Sequence, residues 1–470
     1  MTSRGFAEGV SLKVIIVGAG ALGLGLAEYL SRFEHEISVI ERNAKLALEI
    51  SSRFDVLTVN GSGSSPETLE QAGVESADMI IAVTPSDEIN LLACHFAKQY
   101  SVEKRIARIV SEELIGAEKI NLETVGVTHV IETEKELVKN ILRYVELPGL
   151  IDAADFHGGS VFLRGYKITP EMPIAGKTLF ETRELAGESQ MLVMAILRNG
   201  ESIIPSGAER LLPGDEAITI MPAQSYPAYR CLINRPSKKL HKIVVAGDSL
   251  GAVNICSALS LIADRVILLD SDQEHAREAA LALNGVEVLF GEETDADLLQ
   301  EINVKTADFF ISAGKDMEGN IMASLLAKAE GAREVIAIRT DDRHFNLFNS
   351  LGIDHVISPR RVTLYKIIES IQIAPIDPLL KLRKLDLDVV RAVALKNSPV
   401  VGKSLISLDR QFNKNVIIGS IVRDGKIIIP NGYTVIESGD EVIAICYRSS
   451  FASVKKMFKA GFRFSKGERV

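Results

Sequence analysis

The chain has 470 residues, 47% of them hydrophobic and 24% charged, which is typical of a soluble globular protein too long for a single core. Its net charge of −9 argues against nucleic-acid binding, because phosphate backbones are held by clustered Lys and Arg. Segment 1–11 has no signal-peptide run, and the apolar stretch 14–30 is explained better as a strand and a helix than as a membrane span. Four cysteines without a CxxC pair predict reduced thiols in a cytoplasmic protein.

In chain order, the first region alternates short apolar strands with helices. The predicted strands are Lys13–Val17, Ile37–Ile40, Val56–Val59, Met79–Val83 and Ile106–Val110, and the predicted helices include Leu22–Arg32 and Lys45–Arg53. This alternation predicts a Rossmann-like parallel sheet with helices on both faces. From about Phe156 to Met221, shorter strands separated by Asn-Gly and Pro-Gly turns predict a small β-rich α+β domain.

The whole arrangement then occurs a second time. Segment 126–131 recurs as 352–357, and 173–179 recurs as 399–405 at the same spacing. Two shorter matches are Arg198-Asn199-Gly200 with Arg423-Asp424-Gly425 and Gly214-Asp215-Glu216 with Gly439-Asp440-Glu441. The chain is therefore interpreted as a tandem duplication of a two-part unit. The predicted domains are 12–145, 150–232, 240–374 and 382–462, with a polar linker at 235–239 between the copies.

A dinucleotide-binding GxGxxG fingerprint connects the first strand to the first helix. Its residues are Gly18, Ala19, Gly20, Ala21, Leu22 and Gly23. Gly18 permits a tight turn, Gly20 lets the backbone approach a pyrophosphate, and Gly23 lets the helix pack closely. The helix N-terminus offers N–H groups and a positive dipole end to phosphates. The next strand ends in Glu41, whose carboxylate suits ribose hydroxyls and favours NAD over NADP, although Arg42 weakens that exclusion.

Three further features are expected at the carboxyl ends of the strands. Ser62 and Gly63 follow the third strand, and Thr84 and Pro85 follow the fourth. Ligands of open α/β sheets bind at this edge, so these residues are expected to flank the nucleotide, although ordinary turns would also explain them. Arg108 lies in the fifth strand, and because a buried Arg is costly unless paired, we expect either a salt bridge or a phosphate contact.

The second copy departs from the fingerprint. Aligned by sequence, Ala246 and Asp248 replace the first two glycines, and Asp248 would place a negative charge against a pyrophosphate. Asp270 still ends the second strand, and Arg339 is matched with Arg108. We therefore expect this copy to keep the fold without binding the dinucleotide, or to bind a less anionic ligand.

No constellation of catalytic residues stands out. HExxH is absent, and the eight histidines are dispersed. His129 and His355 occupy equivalent strand starts, which structure explains better than chemistry. We predict a ligand-sensing regulatory protein with no catalytic residue and no metal site, and an NAD-dependent oxidoreductase is the alternative.

The order of these features resembles the regulatory subunits of Trk potassium-uptake systems, the TrkA family, whose repeated units are RCK (KTN) domains. The resemblance covers about residues 13–457. It rests on the GxGxxG half, the polar third loop, the loop Thr84–Asn90, the Arg of the fifth strand and the small β-rich domain, all within a duplication. Glu41 in place of the commoner Asp, Pro85 and the degraded second fingerprint depart from the family pattern.

The resemblance carries expectations about ligands and partners. It implies binding of NAD(H), with ATP or ADP as alternatives, at Gly18–Gly23, Glu41, Ser62, Gly63, Thr84, Pro85 and Arg108. It also implies a cytoplasmic homo-oligomer, a tetramer, that acts as a nucleotide-dependent conformational switch. Its partner would be a membrane-embedded potassium transporter subunit of the TrkH/TrkG type on the inner face of the cell membrane.

Overall fold

The chain folds into two compact units that do not follow chain order. One unit joins the described residues of Gly9–Glu146 with those of Lys239–Ile371, and the other contains the described residues of Leu147–Lys238 and Gln372–Val470. The computed structural model describes residues 12–31, 35–116, 121–147, 149–187, 189–233, 240–339, 348, 351–371, 376–381, 386–411 and 415–458. The predicted linker 235–239 lies outside the described residues. Like parts of the duplication are thus grouped with each other: the two Rossmann-like parts form one unit, and the two small domains form the other.

The first Rossmann-like part contains a six-stranded parallel sheet. Its strands are β1 (Lys13–Val17), β2 (Glu36–Glu41), β3 (Leu57–Asn60), β4 (Met79–Ala82), β5 (Lys104–Ile109) and β6 (His129–Glu132). Their order is β3-β2-β1-β4-β5-β6, so the order reverses between β1 and β4. The helices are Ala21–Leu30, Ala44–Arg53, Pro66–Gln71, Asp87–Gln99, Glu112–Gly116, Leu122–Val125 and Thr133–Val145. The predicted parallel sheet is confirmed, and the reversal creates the crevice at which such sheets bind ligands.

The first small domain contains a five-stranded antiparallel sheet. Its strands are β7 (Leu150–Phe156), β8 (Val161–Lys167), β9 (Leu192–Arg198), β10 (Glu201–Ile203) and β11 (Glu216–Pro222), in the order β10-β9-β11-β8-β7. Helices Leu179–Ala186 and Tyr226–Leu232 complete it. Strands β7 and β8 were not individually predicted, because Asp152, Asp155 and Arg164 interrupt their apolar pattern. Arg164 is nevertheless buried and donates a hydrogen bond to Asp155 Oδ1 at 2.8 Å.

The second Rossmann-like part repeats the first. Its strands are β12 (Leu240–Ala246), β13 (Ala263–Asp270), β14 (Val286–Phe290), β15 (Phe309–Ser312), β16 (Glu334–Ile338) and β17 (His355–Ile357), in the order β14-β13-β12-β15-β16-β17. Its helices include Leu250–Leu259, Gln273–Ala282, Ala296–Glu301, Met317–Ala329 and Pro359–Ile371. The two Rossmann-like parts contact each other through helices: Thr133–Val145 packs against Leu250–Leu259 and Pro359–Ile371.

The second small domain repeats the first and shares a core with it. Its strands are β18 (Ile376–Lys381), β19 (Leu387–Val393), β20 (Val416–Arg423), β21 (Lys426–Ile428) and β22 (Glu441–Tyr447), and its helices include Leu405–Gln411 and Phe451–Phe458. Strand β18 pairs with β19 and precedes the predicted domain start at 382. Leu163 and Ile220 of the first small domain lie in one buried cluster with Val389 and Ile445 of the second. The duplicated α+β domains therefore form a joint hydrophobic core.

The short sequence repeats mark matching turns in the two small domains. Asn199 and Asp424 have φ values of 52° and 50°, and each is followed by a positive-φ glycine, as tight hairpins require. An Arg ends the strand before each turn. Arg198 donates two hydrogen bonds to the buried Asp215, and Arg423 donates two to the buried Asp440, at distances of 2.8–2.9 Å. These matches were therefore preserved by turn geometry and a buried ion pair.

None of the helices within the described residues is long and apolar enough to cross a membrane.

Candidate functional site

A cleft of about 310 Å³ opens at the carboxyl ends of the first sheet, where the strand order reverses. It is lined by Val17, Gly18, Gly20, Ile40, Glu41, Arg42, Leu46, Gly61, Ser62, Gly63, Val83, Thr84, Pro85, Ser86 and Ile89. The predicted site residues Ala19, Ala21, Leu22, Gly23 and Arg108 are outside this lining. The structure thus brings together segments that follow β1, β2, β3 and β4, which are far apart in sequence.

The three fingerprint glycines have different geometric reasons to be glycine. Gly18 has φ +101°, and a Cβ there would lie 3.1 Å from Thr84 Cγ2. A Cβ on Gly23 would overlap the Gly18 carbonyl oxygen, so this glycine lets the helix begin directly against the turn. A Cβ on Gly20 would meet nothing within 4 Å. Gly20 is thus dispensable for packing, and its missing side chain leaves open space on the cleft wall.

The helix that starts at this loop has no side chain capping its N-terminus. Gly20 is the N-cap of Ala21–Leu30, and the first turn contains no acidic residue. The first N–H groups of a helix have no intrahelical acceptor and carry the positive end of the dipole. An uncapped helix end beside an open cleft fits an anionic group such as a pyrophosphate.

Glu41 connects the end of β2 to the glycine loop. Its Oε2 accepts a hydrogen bond from the Ala19 N–H at 2.7 Å, and its Oε1 accepts one from the Asn43 N–H at 2.8 Å. Each carboxylate oxygen can accept a second hydrogen bond, so a ribose hydroxyl remains compatible with this arrangement. The contact with Ala19 was not predicted, because it depends on how closely β1 and β2 end together.

The third loop needs its glycines for close packing. A Cβ on Gly63 would overlap Val17 Cγ1, and one on Gly61 would lie 2.5 Å from Thr68 Oγ1. The hydroxyls of Ser62 and Ser64, on either side of Gly63, form a hydrogen bond at 2.8 Å. The loop therefore lies tightly on the end of β1 and places Ser62 at the cleft.

The fourth loop is held in place by a fully buried amide. Asn90 Nδ2 donates to the carbonyl oxygens of Thr84 at 3.0 Å and Arg108 at 2.9 Å, and its Oδ1 accepts from the Thr84 N–H at 2.9 Å. Ser86 caps the following helix by accepting the Ile89 N–H. Much of the polar sequence at 84–90 is thus explained by loop structure, which leaves Thr84, Pro85 and Ser86 at the cleft.

Arg108 lies behind this loop. Its Nη1 donates to the Thr84 carbonyl oxygen at 3.3 Å, and its Nε donates to Thr133 Oγ1 at 3.2 Å. Burial lowers the pKa of the guanidinium, and the charges of Asp87 and Glu134 oppose that shift. A direct phosphate contact by Arg108 therefore stays a prediction, while its contact with the Thr84 loop is a feature of the structure.

Eight residues of the cleft lining were not among the predicted binding residues: Val17, Ile40, Arg42, Leu46, Gly61, Val83, Ser86 and Ile89. Arg42 was noted only for weakening the exclusion of a 2′-phosphate, and Leu46 and Ile89 were not singled out. The position of Arg42 directly after Glu41 could have identified it, because it also lies at the carboxyl end of β2. Leu46 and Ile89 have no comparable signal, since apolar residues in the first turn of a helix usually pack inside the protein.

The sequence-based alignment of the two fingerprints was wrong by one residue. In the structure, Gly247 corresponds to Gly18. The Gly18 N–H donates to the Ile40 carbonyl, and the Gly247 N–H makes the same bond to Leu269. Ser249, the N-cap of Leu250–Leu259, corresponds to Gly20, and it accepts the Ala252 N–H at 3.1 Å. The first glycine is therefore retained, and Gly20 is replaced by a capping serine.

The match between Arg339 and Arg108 was also wrong by one residue. Arg108 pairs with Ile131, whereas the equivalent Ile357 pairs with Ile338. Neighbouring strand residues point to opposite faces of a sheet, so Arg339 cannot perform the same role. Its guanidinium instead stacks over Phe348 at 4.3 Å from the ring centroid.

The second copy also places carboxylates where the first has small residues. Asp248 receives hydrogen bonds from the Lys315 backbone and Nζ, both at 3.1 Å. Burial acts to raise the pKa of Asp248, but these bonds outweigh it and lower the pKa. Burial raises the pKa of Glu293, which follows β14 as Gly63 follows β3. This edge of the second sheet is acidic and its helix is capped, so it is poorly suited to a pyrophosphate.

A larger cavity of about 400 Å³ lies between the two small domains. Equivalent residues of both copies line it, including Leu179 with Leu405 and Phe180 with Ile406. Its walls are largely apolar. Two helices begin at this cavity, but the N–H groups of their first residues, Leu179, Phe180, Leu405 and Ile406, already donate to backbone carbonyl oxygens. The Rossmann-like cleft is therefore better suited to a nucleotide than this cavity is.

The duplicated Rossmann sheets, the cleft at the strand reversal and the paired α+β domains define a tandem RCK-type protein. Family models for the TrkA-N domain match residues 14–133 and 243–359, and the model for the TrkA-C domain matches 389–459. The chain therefore belongs to the TrkA family, and the predicted family is confirmed.

Curated relatives match along almost the whole chain. The Trk system potassium uptake protein TrkA of Halomonas elongata is 30% identical, over 96% of this chain and 100% of the relative. The protein of the same name from Azorhizobium caulinodans is 28% identical with the same coverage. Among solved structures, the GsuK RCK domain has a TM-score of 0.58 and 18% identity, covering 97% of this chain and 96% of that one. The GsuK channel bound to NAD has a TM-score of 0.59 and 18% identity, and the match covers 97% of this chain and 80% of that one. These structures share the fold of this chain.

Proposed function

We propose that the first Rossmann-like part binds NAD(H) or an adenine nucleotide in the 310 Å³ cleft. The loop Gly18–Gly23 would hold the pyrophosphate, Glu41 would accept ribose hydroxyls, and Ser62, Gly63, Thr84 and Pro85 would flank the ligand. The observation that carries this proposal is the uncapped helix N-terminus at Gly20, beside open space. A related fold, the GsuK channel, has been solved bound to NAD, which supports the ligand class.

The protein would act as a regulatory subunit of a Trk-type potassium uptake system rather than as an enzyme. Curated relatives of nearly equal length are named as Trk system potassium uptake proteins. Since no described helix can cross a membrane, potassium transport would require contact with a membrane-embedded partner. We place the protein on the cytoplasmic side as a homotetramer, with domains at 12–145, 150–232, 240–374 and 382–462.

Nucleotide binding would control the partner as a conformational switch. A ligand shifts an equilibrium only by the difference in its affinity for the two states. A tenfold preference for one arrangement supplies about 1.4 kcal/mol per site, and several copies in one oligomer would add to that effect. The helix contacts between the two Rossmann-like parts provide an element that such a ligand could reposition.

Equilibrium titration of the full-length protein with NAD⁺, NADH, ATP and ADP tests this function, with turnover of each nucleotide followed in parallel. We expect saturable binding of at least one nucleotide, one molecule per chain, without turnover. Because Ser249, Asp248 and Glu293 alter the second cleft, two equivalent nucleotides per chain would contradict the assignment to the first. Steady NADH oxidation with a metabolite would favour the oxidoreductase alternative instead.

A further inference from the structure

Arg108 lies between the cleft loop and the helix that connects the two Rossmann-like parts. Its guanidinium donates hydrogen bonds to the Thr84 carbonyl oxygen and to Thr133 Oγ1. Thr133 is the first residue of the helix Thr133–Val145, and Glu134 is the second. The Glu134 carboxylate is near enough to interact electrostatically with Arg108. One cation thus contacts both the wall of the cleft and the start of this helix.

The same Glu134 reaches the second Rossmann-like part. Its Oε2 lies 3.1 Å from the position that a Cβ on Gly251 would occupy, where Ser249 Oγ is 3.5 Å away. Gly251 is the second residue of the helix Leu250–Leu259. A carboxylate beside the first turn of a helix interacts favourably with the positive end of its dipole. The absence of a side chain at Gly251 leaves room for this approach.

The Glu134 carboxylate therefore lies beside the first turn of the helix Leu250–Leu259, and its charge also acts on the Arg108 guanidinium on the cleft side. We propose that Glu134 is a positioning residue that couples occupancy of the first cleft to the helix Leu250–Leu259 of the second Rossmann-like part. This inference rests on the proposed nucleotide binding. An anionic ligand that contacts the Thr84 loop attracts Arg108 and weakens the electrostatic interaction between Arg108 and Glu134. The Glu134 carboxylate then interacts more strongly with the N-terminus of the helix Leu250–Leu259.

Hydrogen exchange of the full-length protein, measured by mass spectrometry with and without NADH, tests the coupling. In the wild type, we expect NADH to slow exchange in peptides covering 250–259 by about twofold or more. Glu134→Gln should keep NADH affinity within about threefold, because Glu134 is outside the cleft lining, yet lose the response at 250–259. Gly251→Ser, which occupies the space beside the carboxylate, should lose it as well.

Glu136→Gln is the matched control, because Glu136 lies on the same helix and pairs with Lys139 at 2.8 Å. This variant should bind NADH and retain the response. The coupling role is overturned if Glu134→Gln responds fully, if Glu134→Gln loses NADH affinity itself, or if the wild type binds NADH without any change at 250–259. The last result would leave nucleotide binding intact, whereas no binding of any nucleotide by the wild type would refute both proposals.

Discussion

Replacing Gly20 with Asp separates the role of this position in folding from its role in binding. Gly20 is the N-cap of the helix Ala21–Leu30, and a Cβ there meets no atom within 4 Å. Asp is a favoured N-cap residue, so the free energy of unfolding should stay the same or rise by a few tenths of a kcal/mol. The variant should therefore fold normally, which makes any loss of binding interpretable.

The effect on nucleotide affinity should be large because the new carboxylate would enter the cleft. Two like charges about 4 Å apart repel by about 4 kcal/mol at an effective dielectric constant of about 20, and salt screening reduces this value. We expect about 2–3 kcal/mol of lost binding energy, which corresponds to about 30- to 150-fold weaker NADH binding. Gly20→Ser, which introduces the residue found at Ser249, should fold equally well and lose less affinity.

Calorimetric titration with NADH gives the dissociation constant, and thermal melting of the same samples confirms folding. If Gly20→Asp keeps a wild-type melting temperature and binds NADH within twofold of wild type, Gly20 does not face the phosphates. The placement of the ligand at the fingerprint would then be refuted.

Two further predictions concern Glu41 and the small domains. Glu41→Gln should weaken NADH binding about tenfold and narrow the preference for NADH over NADPH, because the carboxylate accepts ribose hydroxyls and repels a 2′-phosphate. Glu36→Gln, at the exposed start of the same strand, is the control. If Glu41→Gln leaves the ratio of NADH affinity to NADPH affinity unchanged, Glu41 does not contact the ribose. Asp215→Asn should lower the free energy of unfolding in urea by about 2–3 kcal/mol, since the buried carboxylate accepts two bonds from Arg198. Asp440→Asn should cost a similar amount, and full stability in either variant would contradict this reading.

Features set by local sequence were predictable. The apolar run of β1 and the GxGxxG that follows it specify a strand, a turn and a helix start within about ten residues, so the fold of the first part and the identity of the loop followed directly. The Thr84 loop was also placed correctly at the carboxyl edge of the sheet, because parallel strands end on the same side.

Features that depend on register or on distant contacts were not predictable. The spacing between motifs differs by one residue in the two copies, so the sequence alignment assigned the wrong equivalents to Gly20 and Arg108. In a strand, a shift of one residue moves a side chain to the opposite face of the sheet. The bond from Ala19 to Glu41 requires the three-dimensional approach of β1 and β2. Like domains are grouped into two units because residues far apart in sequence, such as Leu163 and Val389, pack together in one core. No local sequence pattern reveals such contacts.

The most direct test of the central claim is potassium uptake, followed with rubidium as a tracer, in cells that lack this protein and are complemented with wild type or Gly20→Asp. The account predicts that deletion impairs uptake, that wild type restores it, and that the equally abundant Gly20→Asp variant fails to restore its nucleotide-dependent control. Unimpaired uptake after deletion, together with NADH oxidation by the purified protein in the presence of a metabolite, would contradict the account.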